Sequence, residues 1–164
     1  MGIKKGFSLI ELVIVIGLLA LLSLAISSVM LMSIVSSKRL QTMTRVKQAG
    51  NYALDQMETL LRNEKTVVSC DSTNNIIQII NFDGGTTSLM TESSDGTHQR
   101  IASNSGFYLT PSNDDVQAFR LTCDPSDDAP TLVNIVYDLQ DISSTNQVDS
   151  PLIHFETSVN LRNE

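Results

Sequence analysis

The sequence predicts an α+β fold in which a long N-terminal helix packs on a C-terminal antiparallel β-sheet. Residues 12–37 form an uncharged, mostly apolar run, and helical spacing of apolar residues continues from there to about Asn63. From Thr66 onward, short apolar segments alternate with turn residues, which is typical of strands. The 164 residues are enough for one anchor helix and one modest globular domain.

The uncharged run from Leu12 to Ser37 is long enough to cross a membrane. At about 1.5 Å per helical residue it extends about 39 Å, whereas a bilayer core is about 30 Å thick. Lys4 and Lys5 precede this segment, and Lys38 and Arg39 follow it. Because both flanks carry the same positive charge, charge alone does not assign an orientation in the membrane.

The junction Lys5-Gly6-Phe7-Ser8-Leu9-Ile10-Glu11 resembles the type IV prepilin processing site of pilins and of type II secretion pseudopilins. The resemblance implies that a prepilin peptidase removes leader 1–6 by cutting between Gly6 and Phe7, and then methylates the new N-terminus. A glycine at the cut lets the scissile backbone lie close in a protease cleft. The basic leader is expected to stay on the cytoplasmic side.

An ordinary secretory signal peptide is the alternative explanation of the same segment. Its apolar core would be residues 12–22, and cleavage after Ala25-Ile26-Ser27 would give a mature chain that starts at Ser28. Glu11 argues against this alternative, because the core of a signal peptide gains nothing from a carboxylate.

The resemblance also implies an organisation for the whole chain. Segment 7–37 is then a transmembrane and assembly helix, 38–64 its amphipathic continuation, and 65–164 a β-rich globular domain in a pilin-like fold. We expect a single pass through the inner (cytoplasmic) membrane with the C-terminal domain extracytoplasmic. The implied partners are the prepilin peptidase, other pilin or pseudopilin subunits, the inner-membrane assembly platform and the membrane itself.

Glu11 is the one carboxylate at the start of the apolar helix. When subunits leave the lipid and pack their helices together, this carboxylate is buried and needs a cation. The candidate is the free amine of Phe7 on a neighbouring subunit, and the pair would fix the axial register of the helices. The alternative is a carboxylate that only favours the helix N-terminus through the helix dipole.

One departure from the resemblance concerns the membrane segment. Many major pilins have a proline at about the twenty-second residue after the cut, whereas this sequence has Ser28 there. Several minor pseudopilins also lack that proline, and the sequence therefore favours a minor member.

The amphipathic half of the helix carries an apolar stripe that we expect to pack against the sheet. The stripe consists of Leu40, Met43, Val46, Gly50, Ala53, Leu54, Met57, Leu60 and Leu61. The predicted strands cover 66–70, 76–82, 86–90, 99–102, 106–110, 116–123, 132–139 and 152–161. In the last strand, the alternation predicts that Phe155 and Val159 face the helix and that His154 and Glu156 face away.

Composition argues against nucleic-acid binding and catalysis. Loss of Lys4 and Lys5 with the leader changes the formal charge from −7 to −9, and such acidity does not favour a nucleic-acid footprint. The two histidines, His98 and His154, lie in no metal-ligand spacing and beside no nucleophile motif. We therefore expect no enzyme activity and no cofactor.

The acidic loops raise the question of a metal. Their carboxylates could supply oxygen ligands to calcium, which some major pseudopilins bind in a C-terminal loop. The residues concerned are Asp114, Asp115, Asp124, Asp127 and Asp128. They lack the order of a self-sufficient calcium loop, so we interpret them as solvated turns and expect no metal site.

Cys70 and Cys123 are the only cysteines, and both follow the predicted anchor. Because an extracytoplasmic domain meets oxidising conditions in many envelopes, one intramolecular disulfide is the simplest pairing. We expect the bridge to tie the far half of the sheet to the helix. The alternative is a pair of buried free thiols that behave as small apolar residues.

Two functions of different class are compatible with these patterns. The first is a structural subunit, a minor pilin or pseudopilin of a type IV pilus-like fibre or a type II secretion pseudopilus. The second is a membrane-anchored extracytoplasmic binding or adhesion module. The combination of Gly6, Phe7 and Glu11 favours the first, whereas no cluster of residues favours the second.

Overall fold

The structure is a computed structural model that describes residues 8–93, 95–104, 106–125, 130–143 and 150–161. Within these ranges one helix, α1 (Leu9–Arg62), is followed by antiparallel strands, which confirms the predicted α+β fold class. The strands are β1 (Glu64–Asp71), β2 (Ile76–Asn81), β3 (Thr86–Ser93), β4 (Gln99–Ser103), β5 (Asp114–Asp124), β6 (Leu132–Asp141) and β7 (Ile153–Asn160).

Contacts between residues divide the chain into two compact units, one that ends at Leu40 and one that begins at Gln41. In the first unit, the apolar side chains of the helix are exposed, from Leu9 at 81% to Leu40 at 63%. Leu40 was predicted to belong to the packing stripe, and this was wrong, because the stripe begins to be buried only at Val46.

The second unit uses one face of the helix to cover the sheets. Val46, Gly50, Ala53, Met57 and Leu61 are buried there, at steps of three and four residues that place them on a single stripe. They share one apolar core with inward-facing residues of both sheets. Leu54 and Leu60 lie at the border of this core and are partly buried.

The strands form two sheets rather than the single sheet that the sequence predicted. The first has the order β1-β2-β3-β4 and the second the order β5-β6-β7. Side chains from the β1–β2 turn bind the outer edge of β5. The amide of Leu121 donates to Asn75 Oδ1 at 3.0 Å, and the amide of Cys123 donates to Ser72 Oγ at 3.4 Å. Among the described residues the sheets therefore meet through side chains and not through a backbone ladder.

The segment 106–110 was predicted to be a strand, and this was wrong. Only an isolated bridge between Ala102 and Tyr108 forms there. Asn104 and Gly106 have φ angles of 72° and 84°, which turn the chain sharply after β4. Pro111 then follows and has no amide hydrogen for a ladder, so the returning chain does not extend the sheet.

The remaining predicted strands are present with shifted ends, and some of the differences have a local cause. β1 begins at Glu64, immediately after the helix, and contains register shifts at Lys65 and Val68. In β5 a bulge lies between Gln117 and Arg120, where Ala118 has a φ of 51°. Such bulges interrupt the period-two pattern from which strand ends are predicted.

The alternation predicted for the last strand is confirmed. In β7, Phe155 and Val159 are buried while His154 and Glu156 are exposed. β6 lies between β5 and β7 and buries every second residue, including Tyr137. Its alternating pattern matches a strand with one face on the core and one face toward solvent.

Candidate functional site

The helix begins at the segment that resembles a processing site, and Ser8 defines its start. The hydroxyl oxygen of Ser8 accepts a hydrogen bond from the amide of Glu11 at 3.3 Å, and its carbonyl accepts from the same amide at 3.1 Å. Ser8 therefore caps the helix, and the spacing Ser8-x-x-Glu11 is that of a capping box. Gly6 and Phe7, the predicted processing residues, lie outside the described residues.

Glu11 stands exposed in the first turn of α1 among exposed apolar neighbours. Leu9, Ile10 and Leu12 are 81%, 70% and 54% exposed. Among the residues that the structure describes, no cation forms an ion pair with the Glu11 carboxylate. The carboxylate is therefore available to a partner outside the chain, and it also sits where the helix dipole favours negative charge.

The first unit has the length and composition of a membrane-spanning helix. A window of 18 residues in α1 reaches a mean hydropathy of 2.9, and none of that window is buried in the protein. Three of its serines satisfy their own hydroxyls, since Ser23, Ser27 and Ser28 donate to helix carbonyls at 2.8 Å. Such hydroxyls enter an apolar environment without an unsatisfied donor.

The comparison with known families decides the nature of this segment. Residues 1–27 match the family described as the prokaryotic N-terminal methylation motif. The chain is type IV pilin-like. This family is structural rather than catalytic, and its motif implies processing by a prepilin peptidase and assembly with other pilin subunits. The motif and the apolar helix together fit a membrane-anchored, single-pass precursor.

The family match covers residues 1–27 of this pilin-like chain and does not extend to the globular unit. No curated protein and no solved structure matches the chain.

The aspartates that the sequence analysis interpreted as solvated turns are in three different environments, and for Asp114, which is the buried first residue of β5, that interpretation was wrong. Asp114 is buried, while Asp115 accepts hydrogen bonds from the Gln99 amide at 2.8 Å and from Gln117 at 3.3 Å. Asp124 is exposed, and Asp127 and Asp128 lie outside the described residues. Within the described part of the chain, no three His, Cys, Asp or Glu side chains are placed to hold a metal ion.

Both histidines have an aspartate partner, and each pair is local. His98 Nδ1 lies 2.8 Å from Asp95 in a turn, and His154 Nδ1 lies 2.7 Å from Asp138 across β6 and β7. The Asp95 hydrogen bond raises the pKa of His98. The first pair lies within one turn, where the Asp95 carboxylate also accepts a hydrogen bond from the His98 amide at 2.8 Å, and the second joins register partners of β6 and β7.

Cys70 and Cys123 form a disulfide in the structure, with Cα atoms 6.5 Å apart. Cys70 lies near the end of β1 and Cys123 near the end of β5. The bridge therefore connects the two sheets, and not the sheet to the helix as the sequence suggested. That expectation was wrong because β1 begins immediately after the helix, so that Cys70 already lies inside a sheet.

Three polar residues of the globular unit were not predicted from the sequence as functional, and two of them, Glu64 and Asp141, are buried. Glu64 is 4% exposed, and both its carboxylate oxygens lack a hydrogen-bond partner among the described residues. Burial raises the pKa of Glu64 to about 7. Arg45 and Asp141 form an ion pair between the helix and β6, although the side chain of Asp141 is only 2% exposed. Glu64 and Asp141 lie outside the predicted strands 66–70 and 132–139, so the strand pattern of the sequence did not identify them.

Proposed function

We propose that this chain is a structural subunit, a minor pilin or pseudopilin, that assembles into a type IV pilus-like fibre or a type II secretion pseudopilus. In this proposal the peptidase hydrolyses the bond between Gly6 and Phe7, and the apolar helix holds the subunit in the inner membrane until assembly. The match of residues 1–27 to the methylation motif carries the proposal. The exposed apolar helix supports it, because that surface requires lipid or other helices around it.

Glu11 is the proposed assembly residue. Its carboxylate is exposed in the first helical turn, beside the N-terminus that cleavage would create. In a bundle of apolar helices the carboxylate would be buried, and the amine of a neighbouring Phe7 would neutralise it. At about 4 Å and an effective dielectric constant of about 20, the attraction is about 4 kcal/mol before desolvation is subtracted. A pair of this strength specifies the register of helices that otherwise offer only apolar contacts.

A sheared-fibre assay tests the proposal in the host cell. The variant Glu11→Val should insert and be processed normally, yet be depleted at least about tenfold from the fibre fraction if the pair is worth more than about 1.4 kcal/mol. Asp55→Asn is the matched control, because Asp55 is an exposed acidic residue on the same helix. Its incorporation should equal that of the unmodified protein. If Glu11→Val enters fibres as well as the unmodified protein does, the proposed pair with Phe7 is contradicted. Glu11 would then act only through the dipole at the helix N-terminus.

A further inference from the structure

Asp114 and Asp141 place two carboxyl groups next to each other at one end of the second sheet. Asp114 is the first residue of β5, Asp141 is the last residue of β6, and the two are direct partners in the antiparallel register. Partners in such a register project to the same face of the sheet. Both residues are buried, at 1% and 3% exposure.

The two carboxyl groups differ in their partners. Asp141 Oδ1 accepts hydrogen bonds from the amide and the hydroxyl of Ser143 at 2.7 and 2.6 Å, and its Oδ2 pairs with Arg45. Neither oxygen of Asp114 has a hydrogen-bond partner among the described residues. The Asp141 carboxylate therefore has hydrogen-bond and ion-pair partners, whereas the Asp114 carboxylate has no hydrogen-bond partner among the described residues.

The cations that face Asp114 are both engaged elsewhere. Arg45, from the helix, pairs with Asp141 and also lies 3.4 Å from Ser143 Oγ. Arg100, from β4, donates from Nε to the Thr110 carbonyl at 3.0 Å and stacks over the ring of Tyr108 at 3.9 Å. Burial raises the pKa of Asp114, and the partial attraction of Arg45 and Arg100 opposes this rise without cancelling it.

We propose that Asp114 is a proton-binding site whose occupancy stabilises the contact between Arg45 on the helix and the paired ends of β5 and β6. With the proton bound, Arg45 is opposed by a single buried anion, Asp141. When the proton leaves, two adjacent anions compete for that one guanidinium, and the excess charge is buried. The contact between helix and sheet is therefore more stable at low pH than at high pH. The inference concerns the globular unit and does not depend on fibre assembly.

The direction of the pH effect follows from the raised pKa. An unfolded aspartate ionises near its ordinary value of 3.8, whereas folded Asp114 keeps its proton to higher pH. Between the two values the folded state binds more protons, so the stability that Asp114 contributes falls as the pH rises. The folding equilibrium constant decreases by up to about tenfold per pH unit in that window.

The test compares denaturant unfolding of the full chain in detergent micelles from pH 4 to pH 8. Asp114→Asn should lose the component of the pH dependence that Asp114 provides, so that its folding equilibrium constant rises relative to the unmodified protein as the pH increases. Asp115→Asn is the control, since it removes the same charge at the next residue, which is hydrogen-bonded and only half-buried. It should keep the pH dependence of the unmodified protein.

Amide hydrogen exchange supplies a readout that a merely structural role would not change. After correction for intrinsic rates, protection of helix residues 44–50 should fall with rising pH more steeply in the unmodified protein and in Asp115→Asn than in Asp114→Asn, which keeps only the pH dependence of other groups such as Glu64. Parallel pH profiles for all three proteins would overturn the proposal.

If Asp114→Asn does not fold, a pH titration of the unmodified protein tests the proposal instead. The carbon-13 chemical shift of the Asp114 carboxyl group is followed to find the midpoint of its ionisation. A midpoint above 3.8 supports the proposal, and one at or below 3.8 overturns it.

Discussion

At the scale of single residues, Gly50 sets how closely the helix approaches the second sheet. The ring of Phe155 lies against the backbone of Gly50, where a Cβ atom would come within 3.0 Å of three ring atoms. Tyr137 stacks on Phe155 with centroids 5.3 Å apart and donates its hydroxyl hydrogen to the Gly50 carbonyl at 2.7 Å. The absence of a side chain at Gly50 thus permits both the ring contact and the hydrogen bond.

The first prediction at this scale concerns Gly50→Ala. Alanine favours the helix by about 1 kcal/mol, but the clash with Phe155 should exceed this gain and leave a net destabilisation of about 1–2 kcal/mol. Denaturant unfolding measures the change. The double variant Gly50→Ala with Phe155→Leu makes room for the methyl group and should lose less than the sum of the two single variants. Additive losses would show that the two residues do not constrain each other.

Glu64 gives the second prediction at this scale. Its pKa of about 7 in the folded state lies above the ordinary value of 4.5, so the folded protein binds more protons between these values. Its contribution to stability therefore falls as the pH rises from about 4.5 to about 7. Glu64→Gln should be more stable than the unmodified protein at pH 8, by about 1–2 kcal/mol, and nearly equal to it at pH 4.

Unfolding midpoints at the two pH values test the prediction for Glu64. Glu92→Gln is a suitable control, because Glu92 is only half-buried and receives a hydrogen bond from the Gly106 amide at 3.1 Å. It should not show the gain at pH 8. A constant difference between Glu64→Gln and the unmodified protein at both pH values would mean that Glu64 has the same pKa in the folded and unfolded states, and it would contradict the prediction.

At the scale of elements, the disulfide joins two sheets that share no backbone ladder. Cys70 and Cys123 are 53 residues apart, and the side chains of Ser72 and Asn75 bind β5 near the same place. The core residues of both sheets form one cluster against the helix. The bridge therefore reinforces a boundary that otherwise depends on side-chain contacts.

Removal of the bridge should weaken the globular unit. In the chain-entropy model, a closed loop of about 50 residues stabilises by about 4 kcal/mol, so the paired variant Cys70→Ser with Cys123→Ser should unfold at lower denaturant concentration. Thiol alkylation of the unfolded, unreduced protein tests the pairing directly. No labelled cysteine per chain is the expected result, and two labelled cysteines would contradict it.

Some of these elements could be predicted from the sequence alone, and others could not. The helix, its apolar stripe from Val46 to Leu61 and most strands follow from local periodicity, because burial repeats every three to four residues in the helix and every two in a strand. The division into two sheets does not, because it depends on long-range side-chain bonds such as that from the Leu121 amide to Asn75. The burial of the Glu64 and Asp114 carboxyl groups could not be predicted either, since sequence position does not show what surrounds a strand residue.

At the scale of the whole molecule, the chain combines two units with different solvent requirements. The first presents an apolar helix with a mean hydropathy of 2.9, and the second is a folded α+β unit with a single core. The capping pattern Ser8-x-x-Glu11 and the methylation motif lie together at the start of the first unit. This arrangement fits a type IV pilin-like precursor.

The most direct test of this account is the mass of the mature N-terminal peptide from the protein isolated from its host membrane. The account predicts a peptide that starts at Phe7 and carries one N-methyl group, and it predicts that Gly6→Leu leaves the chain uncut. A mature chain that starts at Ser28, or an unprocessed chain in a host with an active prepilin peptidase, would contradict it.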